Sequence, residues 1–82
     1  MADENEGTAV RYPECEVELL GVDKNAVAIF RKVRKELIRY LADVEGLPLA
    51  EATAKGDEFQ AEATSGDYDH VQITCHRWVT VV

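Results

Sequence analysis

The sequence predicts an α+β domain: a strand, a long amphipathic helix, one or two shorter helices and a C-terminal strand. Three observations carry that prediction. Residues 14–20, "ECEVELL", alternate acid and apolar side chains. Residues 24–43 place apolar side chains at three- and four-residue steps. The chain ends on "WVTVV", rich in β-branched residues. Its 82 residues make a single domain at most, so the core is small.

In the first strand Glu14, Glu16 and Glu18 face one way and Cys15, Val17 and Leu19 the other. A period of two with one apolar face is the mark of a half-buried strand. The three carboxylates discourage edge pairing with a second copy of the chain and await a basic partner. Ahead of this strand, residues 1–11 are acidic, with Asp3, Glu4 and Glu6, and hold little that packs. They read as a disordered tail before one domain over 12–82. Pro13 restricts Tyr12 to extended geometry.

The long helix comes after a turn at 21–25, where Asp23 or Asn25 supplies a cap. Ala26, Ile29, Phe30, Val33, Leu37, Leu41 and Val44 form its apolar stripe. Gly46 ends it, and Pro48 suits the first turn of a second helix. That second helix, over 49–64, reads as weak or broken at Gly56 and firmer from Asp57, with Phe59 and Ala63 inward. Ser65-Gly66 then closes the segment, with Gly66 suited to the left-handed conformation that ends helices. Asp67 is placed to cap a third helix. The stretch 68–77 fits a helix through Val71, Cys75 and Trp78, and fits a strand through Val71, Ile73 and Cys75. The closing strand is expected to pair with residues 15–20. Two strands alone are marginal, so a second copy of the chain is the simplest means of completing the sheet.

Charge is unevenly placed. The total is −7, from 16 acids and 9 bases. Residues 31–39 hold Arg31, Lys32, Arg34, Lys35 and Arg39 with one acid, Glu36, so this segment is +4 and the remainder −11. A basic helix can track a nucleic-acid backbone or contact an acidic partner. The acidic remainder, and pairing with Glu14, Glu16 and Glu18, favour a solvated helix face instead. No run approaches the ~20 apolar residues of a membrane span, and the acidic start is unlike a signal peptide. A cytoplasmic location is expected.

The chemistry-bearing residue types gather in "EATSGDYDH", 62–70. Asp67, Asp69, His70, Cys75 and His76 are metal-ligand types. On a helix His70 and His76 diverge, whereas a ligand pair wants a step of three or four. Ser65, His70 and Asp67 or Asp69 supply the types of a catalytic triad, which also needs an oxyanion hole. Three carboxylates oppose a phosphate at Ser65-Gly66. The stretch therefore reads as a structural corner made by Ser65, Gly66 and Asp67, with no cofactor and no enzymatic role. Cys15 and Cys75 fit no zinc spacing and read as buried free thiols. Phe59, Tyr68 and Trp78 read as core.

"DKNAVAIFRKVRKEL" together with "EFQAEATSGDYDH" and "RWVTV" is similar to a group of small proteins encoded by actinobacteria, their phages and mobile elements. The tail pattern falls on Glu62, Ala63, Thr64, Ser65, Gly66, Asp67, Tyr68, Asp69, His70, Thr74, Arg77, Trp78 and Val79. In that group the segment after the pattern reads as helix, with leucines where this chain has Val71 and Gln72. The resemblance implies a short helix over 68–77, then the strand. It sets a phage or mobile-element context and leaves the function open; a non-enzymatic accessory protein that binds a host or phage protein, through the acidic surface or the basic helix, is expected.

Overall fold

The computed structural model describes residues 10–19, 21–22 and 25–82. The order is β1 (Tyr12–Val17), α1 (Ala26–Asp43), α2 (Leu49–Ala63), α3 (Tyr68–Trp78) and β2 (Val79–Val81). The fold is thus α+β with a small two-stranded sheet. Of the tail expected over 1–11, residues 1–9 lie outside the described residues. Arg11 donates its backbone N–H to Arg77 O at 2.9 Å, and its guanidinium lies 4.1 Å from the Trp78 ring centre.

β1 and β2 run parallel, joined through all three helices. A parallel pair cannot be closed by a tight turn, and the helical crossover meets that demand. The partners are Tyr12 with Val79, Glu16 with Thr80 and Val17 with Val81. The closing strand therefore meets residues 12–17 rather than the expected 15–20. Between Tyr12 and Glu16 the register shifts, leaving residues 13–15 opposite no extra residue in β2. Pro13 has no N–H to give a ladder, which suits it to such a break. Thr80 Oγ1 donates to Pro13 O at 2.7 Å and serves the carbonyl there.

α1 begins at Asn25, whose side chain accepts from Val27 N at 2.7 Å. The alternative cap, Asp23, lies outside the described residues. Ile29, Phe30, Val33, Leu37 and Leu41 are buried, as the stripe demands; Val44, at its end, is exposed. Each such burial contributes roughly 1.5–3 kcal/mol before entropy is counted. The helix ends in a left-handed Gly46 (φ +74°), with Leu47 N–H donating back to Leu41 O.

α2 is continuous through Gly56, against the expected break. The glycine is buried where α1 crosses. A Cβ there would sit 2.6 Å from the Ile38 side chain, so the helix backbones approach closely only because it is absent. Propensity disfavours glycine here, and packing overrides it. α3 settles 68–77 as helix, ending at Trp78, and the strand begins directly after it. The core gathers Val17, Val33, Leu37, Leu41, Phe59, Cys75, Trp78 and Val79 between the sheet and the helices. Tyr68, expected inside, is 41% exposed. No helix among the described residues is long and apolar enough to cross a membrane.

Candidate functional site

The corner at 62–70 brings its polar residues together, and their bonds are those of a joint. Ser65 Oγ donates to Glu62 O at 2.8 Å, closing the last turn of α2. His70 Nε2 lies 3.1 Å from Ser65 Oγ. Because the single hydroxyl proton goes to Glu62 O, His70 Nε2 is the donor to Ser65, the reverse of a base activating a nucleophile. Asp67 Oδ1 accepts from His70 N at 3.0 Å and caps α3. Gly66 does not take a left-handed conformation; among the described glycines only Gly21 and Gly46 do. Its requirement is steric, since a Cβ would meet His70 Cβ at 2.8 Å.

The remaining candidate ligands diverge. His76 and Asp69 are exposed, while Cys75 is buried. Among the described residues no group of three or more His, Cys, Asp or Glu is placed to hold a metal ion. Cys15 and Cys75 are free and buried. Burial pushes the Cys75 thiol up to about 11. Burial, then the nearby Glu36 charge, does the same for Cys15, also to about 11. Both are protonated and poor nucleophiles at neutral pH.

The basic helix is partly neutralised from within. Lys32 pairs with Glu36 at 3.2 Å, Arg34 with Asp57 of α2 at 2.8 Å, and Arg39 with Asp43 at 3.9 Å. The acids that meet these bases are thus Glu36, Asp57 and Asp43. Glu14, Glu16 and Glu18, expected in that role, have no ion-pair partner among the described residues. Arg31 and Lys35 are exposed and likewise carry no acid partner among the described residues.

A groove of about 270 Å³ opens between β1 and the C-terminal half of α1. Four carboxylates line it: Glu14 and Glu16 from the strand, Glu36 and Asp43 from the helix. Arg39 is its one basic group. Tyr40 and Val44 provide apolar surface, and Cys15 closes the strand side, with its Sγ 3.9 Å from Glu36 O. Tyr40 donates to Glu45 Oε2 at 3.1 Å; burial first, then this carboxylate, raises its phenol above the ordinary value.

Alternation alone marks the strand acids of this groove. Sequence reasoning misses the helix side, although Glu36, Tyr40 and Asp43 recur at steps of four and three and so share a helix face. No protein-family model, curated protein or solved structure matches this chain.

Proposed function

We propose that this chain is a non-enzymatic accessory protein, of the phage or mobile-element kind its tail pattern resembles, that acts by binding a partner protein. The observation that carries the reading is the groove between β1 and α1, where four carboxylates face one arginine. Glu36 and Asp43 are paired with Lys32 and Arg39, but Glu14 and Glu16 have no ion-pair partner among the described residues. Unpaired carboxylates at an open cleft attract a basic partner and steer its approach. The corner residues are spent on helix ends, which leaves the outer faces to do the binding. The test is capture of a defined host or phage protein on the tagged chain. Glu14→Lys with Glu16→Lys should abolish that capture, and a thermal melt should show both proteins folded. Capture unchanged by the double variant would remove the groove from the reading.

A second reading, nucleic-acid contact through 31–39, is supported by the exposed Arg31 and Lys35. Two bases neutralise few phosphates, and the surrounding charge opposes a polyanion. Binding to mixed-sequence DNA at low salt, lost on Arg31→Glu with Lys35→Glu, would establish it.

A further inference from the structure

We infer that the open edge of β1 receives an extended, lysine- or arginine-rich segment of a partner protein as a third strand. This rests on the protein-binding reading above and names the chemistry of the partner. The sheet has two strands, so β1 has β2 on one side and no strand on the other among the described residues. Val17 O accepts from Val82 N at 3.0 Å, so Val17 turns its backbone toward β2. Strand alternation then turns the N–H and C=O of Glu16 to the opposite edge. Glu14 and Glu16 also line the groove, where Tyr40 of α1 and its cap residue Val44 supply apolar surface. An added strand would find backbone partners along Glu16 and apolar contact in the groove.

Charge selects the occupant. Glu14 and Glu16 flank the edge without ion-pair partners among the described residues. A second copy joined edge to edge through β1 would bring these carboxylates against their own equivalents, and like charges across a strand pair repel. Residues 1–9 of this chain carry Asp3, Glu4 and Glu6 and no basic side chain. The same repulsion disfavours them. An external segment with a base at every second position presents its charges to the acid face and its backbone to the edge, the arrangement of strand addition.

The probe is a capped peptide of sequence Lys-Val-Lys-Thr-Lys-Val, titrated into the full chain at low salt and monitored by amide NMR and calorimetry. Saturable binding is expected, with the Glu16 amide gaining protection from hydrogen exchange. Glu14→Gln with Glu16→Gln should weaken binding by about tenfold or more, and added salt should weaken it further. N-methylating alternate peptide amides, which leaves charge intact, should weaken it comparably. Arg31→Ala with Lys35→Ala should leave it unchanged. No saturable binding, or equal binding of the N-methylated peptide, overturns strand addition. Protection of Glu16 that rises with protein concentration alone overturns it in favour of a second copy. A partner still captured by the tagged chain when the peptide fails to bind or to compete would leave the protein-binding reading standing and remove only this mode.

Discussion

The indole N–H of Trp78 donates to Glu62 Oε1 at 3.1 Å, tying the last residue of α3 to the last turn of α2. The ring is buried, meets Phe59 edge-on at 5.7 Å, and lies 6.1 Å from Tyr12. One side chain thus joins both helices to β1, and the two ends of the "EATSGDYDH…RWV" pattern are hydrogen-bonded to each other.

Glu62→Ala leaves the buried indole N–H without its acceptor. A cost of about 1–3 kcal/mol is expected, because an orphaned buried donor loses its full desolvation energy. Glu62→Gln keeps an acceptor oxygen and should recover most of that loss. Trp78→Ala, which empties the hub, should cost about 3–5 kcal/mol. Urea unfolding of the three variants against the parent chain checks the order; equal stability of Glu62→Ala and the parent would refute the tie.

Gly56→Ala sets helix propensity against packing. Alanine gains about 1 kcal/mol as a helix former. Its methyl would meet Ile38 at 2.6 Å, and overpacking costs about 1–3 kcal/mol. The single variant should therefore be neutral to destabilised. Shortening Ile38 to Ala, which removes both the Cγ1 and the Cδ1 that the methyl would meet, makes room, so the pair should be more stable than the sum of the single changes predicts. A double-mutant cycle by thermal unfolding measures that coupling, and strict additivity would mean the helices are not held at this distance by Gly56.

What could be read from the chain divides along local and long-range physics. The α1 stripe and the alternation over 14–20 are periodic signals within one element. The helix formed over Ala26–Asp43, close to the expected 24–43, whereas the strand formed over Tyr12–Val17 and stops short of the last alternating residues. Asn25 and Asp67 cap as expected because a cap is a bond to a near neighbour. Gly56 misleads, since its role depends on Ile38, eighteen positions away and on another helix. The partner of Arg34 escapes a local reading for the same reason: the crossing of α1 and α2, invisible locally, brings Asp57 to Arg34 and leaves the Glu14 row without the expected bases. The acidic groove needs both the strand pattern and the packing of α1 behind it.

Thr74 is fully buried in α3, and its hydroxyl has no hydrogen-bond partner among the described residues. Valine has nearly the same shape without the polar atom. Thr74→Val should thus stabilise the chain by about 1–2 kcal/mol, the desolvation of one unpaired hydroxyl. Thr74→Ser, which keeps the hydroxyl and loses a methyl, should destabilise. A loss of stability in the valine variant, measured by urea unfolding, would show that the hydroxyl is bonded.

The two cysteines give the chain an alkaline limit. Their ordinary value is 9.0, and folding raises both to about 11, with burial the first cause in each. The folded state thus holds its thiol protons more tightly than the unfolded chain. The stability this contributes is fully present below about pH 8.5–9 and is lost as pH rises through 11. Tyr40, also raised, acts with the same sign. Urea midpoints should hold steady across neutral pH and fall between pH 9 and 11. Cys75→Ala, even if less stable at neutral pH, should show a shallower fall. Thiol labelling at neutral pH should be slow in the folded chain and fast in urea, because thiolate is scarce and the sulfurs are covered. Rapid labelling of Cys15 alone would mean that the β1–α1 groove opens enough to expose its strand side, and the alkaline transition would then track Cys75 by itself.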